Sequence, residues 1–181
     1  MLKDTFYSIN VAIYEYSPPK ELNIEAPDPA IFLAGPIQGA PNWQQEAVTM
    51  FAALNYERGG DVHVLNPRRE TLEGDFNYLE QVDWELDGLQ KAAKFGSVLF
   101  WFAARDLKSK AQKDRCYAQT SRVEFGMLTG WLDYVPSINV SIGIEPGYIG
   151  SEKYFRKRAH DYRMPVFSSL EDTCRDALNA L

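Results

Sequence analysis

The stretch 120-TSRVEFG-126 places one carboxylate, Glu124, behind two hydroxyl residues, at the start of a helix predicted over 121–133. Ser121 and Glu124 have the spacing of a capping box, in which the glutamate accepts a hydrogen bond from the N-cap amide. A carboxylate in the first helical turn is also kept ionised by the helix dipole. Because an ionised carboxylate can attack a sugar carbon, Glu124 is predicted to be a capping residue, a nucleophile, or both. Gly126 would leave room for a ring.

Enzymes that cleave a bond at a sugar carbon usually use a pair of carboxyl groups. The second candidate is Glu85 in 83-DWELDG-88, because the helix predicted over 76–94 lies beside the same edge of the sheet. The alternative is that Glu85 belongs to a solvated flank beside Leu86 and Leu89.

A glycine- and proline-rich loop follows a buried strand in 31-IFLAGPIQGAPNWQQEA-47. Gly35 and Gly39 would let the backbone approach a ligand closely, and Asn42 with Gln45 is a plausible helix start. The N-terminus of such a helix favours an anion or a polar ring. The loop matches neither a P-loop nor a dinucleotide fingerprint, and a simple tight turn is the alternative.

Two arginines come directly after another strand, in 61-DVHVLNPRRE-70. Arg68 and Arg69 could bind a phosphate, or they could pair at the surface with Glu70 and Glu73. Surface pairing is the preferred interpretation.

Apolar runs bounded by turn residues alternate with segments of helical period, a pattern typical of an α/β fold with a mostly parallel sheet. The length and composition of the chain favour one domain over residues 1–181. Five strands are predicted at 9–16, 31–35, 61–66, 97–103 and 138–144, and helices at 42–57, 76–94, 121–133, about 151–162 and about 169–180. In the helix over 76–94, one apolar stripe is expected to lie on the sheet, namely Leu79, Val82, Leu86, Leu89 and Ala93.

Bulk properties exclude several classes of partner. The net charge of −6 and a pI near 5.0 argue against binding to nucleic acid polymers. The longest apolar run, 98-VLFWFAA-104, is too short to cross a bilayer, and the start of the chain has no signal-peptide core. A cytoplasmic protein without a membrane partner is therefore expected.

Cysteines and histidines are few and scattered. Cys116 and Cys174 lack a partner pattern, which argues against a disulfide framework. His63 and His160 are isolated as well, so no metal site is predicted.

Four segments together resemble the nucleoside 2-deoxyribosyltransferase family, in particular its 2-deoxyribosyltransferase-like branch. They are 31-IFLAGPI-37 with Trp43, 84-WELDGL-89, 99-LFWF-102 and 120-TSRVEFG-126, in order along residues 31–131. The resemblance implies a flavodoxin- or Rossmann-like three-layer sandwich, a homo-oligomer, and no metal or cofactor.

The resemblance implies a role for each matching residue. Glu124 would be the nucleophile, which attacks C1′ of a 2′-deoxynucleoside and displaces its base. A second free nucleobase would then attack the covalent deoxyribosyl-enzyme. Glu85 falls where the family has an acidic residue that holds or tunes the nucleophile. Substrate-binding residues expected on this basis are Phe32, Gly35, Pro36, Ile37, Gln38, Trp43, Trp84, Arg122 and Gly126, with residues 35–38 as the floor of the site and Trp43 as a wall.

The sequence departs from the family pattern at three places. Phe32 stands where many members have a tyrosine, and Arg122 stands where this branch often has a small amide. No acidic residue precedes the nucleophile in 117-YAQTSRV-123, and Asp114 could serve only if its loop folds back.

These departures leave two alternatives open. One is an N-glycoside hydrolase, in which Arg68, Arg69 and Arg122 would bind a 5′-phosphate. The other is a nucleotide-sensing module that binds without turnover.

Overall fold

The computed structural model describes residues 12–24, 28–69, 77–109 and 116–181. These residues form six strands and five helices, consistent with a Rossmann-like sandwich. The strands are β1 (Ile13–Tyr16), β2 (Ala30–Ala34), β3 (Val62–Leu65), β4 (Ser97–Phe102), β5 (Asn139–Ile144) and β6 (Val166–Phe167), and the helices are α1 (Trp43–Arg58), α2 (Tyr78–Phe95), α3 (Gln119–Leu132), α4 (Glu152–Asp161) and α5 (Leu170–Asn179). None of the described helices is long and apolar enough to cross a membrane.

All six strands are parallel, in the order β1-β3-β2-β4-β5-β6. The predicted α/β class with a mostly parallel sheet is therefore confirmed, but the strand count of five was one short. The additional strand β6 pairs only Val166 and Phe167 with β5, which is too short to produce a pattern of alternation. In the sheet, β3 lies on one side of β2 and β4 lies on the other. The chain therefore reverses its direction across the sheet after β3, and a ligand crevice is expected where the loops after β2 and β4 diverge.

Helices cover both faces of the sheet because alternate residues of each strand point to opposite sides. Ile31 and Leu33 of β2 face α1 and α5, whereas Phe32 faces α2. The face beneath α2, α3 and α4 is largely aromatic, and its rings include Phe32, Trp84, Phe100, Phe102, Phe125 and Phe155. Strands covered on both faces explain the uninterrupted apolar runs of the sequence.

Helix α2 lies on the sheet with a different face from the one its apolar periodicity predicted. Leu79, Val82 and Leu86 are 69%, 36% and 38% exposed, so the predicted stripe was wrong for these positions. The prediction was right for Leu89, which is buried, and for Ala93, which packs against the core. The other buried residues of α2 are Gln81, Trp84, Gly88 and Ala92. Gly88 decides this orientation, because a Cβ there would stand only 3.0 Å from the ring of Phe32. This orientation brings Gln81 against the carbonyl of Pro67, in the loop after β3, and against Glu85.

Helix α3 begins earlier than the capping-box interpretation required. Its N-cap is Ala118, in the left-handed region with φ 56° and without a side-chain cap. Ser121 is buried inside the helix, and Glu124 lies in the second turn. The capping box was therefore wrong. Buried Tyr117, whose hydroxyl donates to the carbonyl of Ala103 at 2.9 Å, fixes the earlier start.

Candidate active site

Glu85 of α2 and Glu124 of α3 lie close enough for the charge of Glu85 to affect the pKa of Glu124. Burial, together with repulsion from Glu85, raises the pKa of Glu124 to about 8. The helix dipole acts mainly within the first turn, so it does not keep this carboxylate ionised as the sequence interpretation assumed. Glu124 is consequently protonated in much of the free protein at neutral pH.

Gln81 holds Glu85 in place. Its amide Nε2 donates to Oε1 of Glu85 at 2.7 Å and to the carbonyl of Pro67 at 2.9 Å. Its Oε1 accepts from Nε of Arg69 at 2.7 Å. Sequence reasoning missed Gln81, although its spacing of four residues from Glu85 on a helix was a usable signal.

The two carboxyl groups have unequal surroundings. Burial raises the pKa of Glu85, but the hydrogen bond from Gln81 and the positive charge of Arg69 oppose that rise. These two groups favour the ionised form of Glu85, whereas both causes that act on Glu124, burial and the charge of Glu85, favour its protonated form. Glu124 would have to lose its proton before it could act as a nucleophile.

Trp43 packs against the loop after β2 and holds it in place. A Cβ at Gly35 would stand 2.7 Å from Cζ2 of Trp43, so the chain passes the indole closely. Trp43 donates its ring N–H to the carbonyl of Pro36 at 2.8 Å and is only 1% exposed. The indole therefore lies beneath the loop, where it supports Pro36.

Arg68 braces the same loop from the side. Its Nη2 donates to the carbonyls of Pro41 at 3.0 Å and Ile37 at 3.3 Å, and its Nε donates to Oε1 of Gln44 at 2.9 Å. The predicted partners Glu70 and Glu73 lie outside the described residues. Burial lowers the pKa of Arg68 below its ordinary value.

The other residues predicted to bind the substrate differ in their exposure to solvent. Phe32 and Trp84 are buried behind the crevice, and their ring centroids lie 6.5 Å apart. Gln38 is exposed and Ile37 is half-buried on the loop. Gly126 faces open space, since no described atom lies within 4 Å of where its Cβ would stand.

Arg122 and Glu124 lie on opposite flanks of α3, because two residues along a helix turn the direction by about 200°. Nη1 of Arg122 donates to Sγ of Cys116 at 3.1 Å, and its guanidinium lies beside the hydroxyl of Tyr148. The arginine therefore reaches the start of the helix, away from Glu85. The predicted Asp114 lies outside the described residues.

Replacing Glu124 by glutamine should stabilise the protein at alkaline pH. The folded protein raises the pKa of this acid to about 8, against about 4.3 in an unfolded chain. The stability that comes from the protonated form is complete below the unfolded value and is lost as pH rises through about 8. Thermal unfolding followed by circular dichroism should therefore give a higher melting temperature for Glu124→Gln at pH 9, and little difference at pH 4.

The control is Glu46→Gln, which changes an exposed carboxylate in the first turn of α1. A difference between wild type and Glu124→Gln that stayed constant from pH 4 to pH 9 would show that burial does not perturb this carboxyl.

Removing the amide of Gln81 should raise the pKa of Glu85, because the hydrogen bond to Oε1 favours the ionised form. Carboxyl-selective NMR titration of Gln81→Leu measures this pKa. Gln90→Leu is the matched control, since Gln90 is an exposed residue of the same helix. Unchanged titration of Glu85 in Gln81→Leu would contradict the assignment.

Comparison with known proteins places these features in a family. A family model described as nucleoside 2-deoxyribosyltransferase like matches residues 28–131, from just before β2 to the end of α3. A search of curated protein sequences finds no match. The matched segment is more than half of the 181 residues and contains both Glu85 and Glu124. The chain therefore belongs to the nucleoside 2-deoxyribosyltransferase-like family.

Proposed function

We propose that this protein transfers 2-deoxyribose from a 2′-deoxynucleoside to another nucleobase, with Glu124 as the nucleophile. The observation that carries the proposal is the carboxylate pair, in which the charge of Glu85 acts on a buried Glu124. Family membership supports deoxyribosyl transfer in general, and the pair supplies two groups suited to it.

The first step forms a bond between a carboxylate oxygen of Glu124 and C1′ of the sugar. The bond from C1′ to the base nitrogen breaks, its electron pair leaves with the base, and the base takes up one proton. In the second step a nitrogen of the incoming base attacks C1′ and loses its proton, while the bond from C1′ to the Glu124 oxygen breaks and its electron pair returns to the carboxylate. Two inversions at C1′ give net retention, as in a retaining glycosidase.

Glu85 contributes to these two reaction steps through its charge. While Glu124 carries the shared proton it cannot attack, so binding of the sugar must favour the state in which Glu124 is ionised. Glu85, held by Gln81 at 2.7 Å, is the adjacent group that can take the proton over. When both carboxyl groups are ionised, the charge of Glu85 would instead stabilise positive charge that develops on the sugar in the transition state.

The substrate would lie over the loop at residues 35–38, with its sugar near the pair. Trp43, Phe32 and Trp84 are buried, so we assign them to support of the site and give contact with the substrate to Ile37, Gln38 and the open surface at Gly126. The backbone of the loop supplies further polar groups.

Chromatography of a reaction that contains a 2′-deoxynucleoside and a different free base tests the proposal. The donors are the 2′-deoxynucleosides of the four common bases, so that every base preference is covered. A new deoxynucleoside is the expected product. Free base and free sugar without a new nucleoside would establish hydrolysis instead, and release of no base from any donor would favour a binding module without turnover.

A further inference from the structure

Residues 35–41 connect β2 to α1 and form the substrate loop, on which the proposed function places the donor. The carbonyl groups of four loop residues accept hydrogen bonds, namely those of Pro36, Ile37, Gly39 and Pro41. Within the described residues, Arg68 is the one side chain from outside β2, the loop and α1 that donates to it. The conformation of the loop therefore depends on a residue that follows another strand, β3.

Arg68 ties together the two ends of the turn in this loop. Its Nη2 donates to the carbonyls of Ile37 at 3.3 Å and Pro41 at 3.0 Å, which lie on either side of Gly39 with its positive φ of 77°. Its Nε donates to Oε1 of Gln44 at the start of α1, at 2.9 Å. Three of the five N–H groups of the guanidinium are thus used by the loop and the helix that follows it.

Gln44 accepts from Arg68 at a cost to its own hydrogen bonding. The residue is fully buried, and its Nε2 has no acceptor in the part of the chain that the structure describes. A buried donor without an acceptor costs free energy, so the stability of the core alone does not explain a glutamine at this position. Its Oε1 instead gives the guanidinium a third acceptor, which fixes the direction of the arginine side chain.

Asn66 fixes the backbone from which Arg68 extends. Its Oδ1 accepts the N–H of Arg68 at 3.0 Å, its Nδ2 donates to Oε1 of Glu15 at 2.7 Å, and its own N–H donates to the carbonyl of Tyr16 at 2.9 Å. Asn66 is only 4% exposed, so these bonds hold it in one orientation against β1. Strand β1 lies outside the segment that the family model matches.

Building on the proposed function, we infer that Arg68 is a positioning residue, which holds the substrate loop in the conformation that binds the donor, and that Asn66 and Glu15 hold Arg68 in place. Arg68 acts through the loop and touches none of the reacting atoms. A loop that had to be ordered on binding would weaken binding by the conformational entropy that it loses. The contacts of Arg68 order the loop before the donor arrives.

Amide exchange in the free protein, followed by NMR, tests whether Arg68 holds the loop. The reporters are the N–H groups of Ala40 and Asp106, which donate to the carbonyls of Ile37 and Gly39. Both should exchange faster in Arg68→Met, which keeps an apolar stem but loses the guanidinium. The N–H of Glu145, which donates to the carbonyl of Phe102, should exchange at the wild-type rate.

Calorimetric binding tests whether the donor uses the ordered loop. The titrants are the four common 2′-deoxynucleosides, and every variant also carries Glu124→Gln so that bound donor is not consumed. Arg68→Met should raise the Kd of the nucleoside that binds most tightly by about 10-fold, the factor that ordering the backbone of one residue costs. Arg68→Lys should give an intermediate Kd, because one ammonium cannot reproduce the fork of donors.

Two further variants locate the effect. Glu15→Ala removes the acceptor of Asn66 Nδ2 and should raise the same Kd by a smaller factor. Arg158→Met is the matched control, since Arg158 is a half-buried arginine of α4 that donates to the hydroxyl of Tyr162. This control should leave the Kd unchanged, even if it lowers the melting temperature.

Unchanged exchange of Ala40 and Asp106 in Arg68→Met would overturn the inference. A Kd that Arg68→Met leaves at its reference value would also overturn it, as would the absence of nucleoside binding when Arg68 is intact. No effect of Glu15→Ala on the Kd would remove β1 from the arrangement. The proposed glycosyl transfer fails by a different result, namely that the wild type releases no base from any donor although nucleosides bind and Arg68→Met weakens that binding.

Discussion

Replacing Glu124 by glutamine is expected to reduce deoxyribosyl transfer by at least about 10³-fold, a loss typical for removal of a nucleophile. Glutamine has nearly the same shape as the protonated acid that the folded protein favours, so the fold should be retained. The measurement is the initial rate of base exchange, followed by chromatography. Mass spectrometry of the intact protein with donor but no acceptor should show one deoxyribosyl group on the wild type and none on Glu124→Gln.

Glu46→Gln, an exposed carboxylate far along the chain from α3, controls for a general effect of losing one negative charge. A near-normal rate for Glu124→Gln would remove the nucleophile assignment, even if the protein still bound its substrate.

Much of the fold follows from patterns that are local in the sequence. The strands β2 and β4 were predicted close to their observed bounds because a strand buried on both faces reads as an uninterrupted apolar run. The helices over 43–58 and 170–179 were found within a residue or so because side-chain caps by Asn42 and Ser169 mark their starts.

The errors arose where tertiary packing overrode local preference. Periodicity alone favoured burial of Leu79 and Leu86, but Trp84 and Gly88 fill the space above Phe32 better. The serine of the apparent capping box lies inside α3 because Tyr117 anchors the chain before it. Trp84 and Gly88 pack on Phe32, and Tyr117 bonds to Ala103. Because these partners are distant in sequence, no local pattern could reveal the contacts.

The sequence predicted that Glu85 and Glu124 would lie near each other, but it did not predict their electrostatics. Family resemblance brought Glu85 and Glu124 together, although they lie on separate helices. The resemblance could not indicate that burial raises the pKa of Glu124 to about 8. It also could not indicate that Gln81 holds Glu85 through a hydrogen bond. These properties depend on which face of α2 meets the sheet, which periodicity predicted wrongly.

Replacing Glu85 by glutamine should lower kcat/KM by about 10²-fold at alkaline pH, within the range for loss of a group that stabilises charge in the transition state. The reaction needs ionised Glu124, so wild-type kcat/KM should rise with pH through about 8. Removing the charge of Glu85 removes one of the two causes that raise the pKa of Glu124, and burial remains. The rise of the variant's pH profile should therefore occur at lower pH than that of the wild type.

The pH profile separates a role in the reaction from a role in folding. A structural defect would lower the rate equally at every pH, whereas the expected shift makes the deficit of Glu85→Gln smaller at pH 6 than at pH 9. Gln90→Leu on the same helix should leave both the rate and the profile unchanged. A profile of Glu85→Gln with the wild-type midpoint would mean that the two carboxyl groups do not share a proton, and Glu85 would then be assigned to binding of the sugar alone.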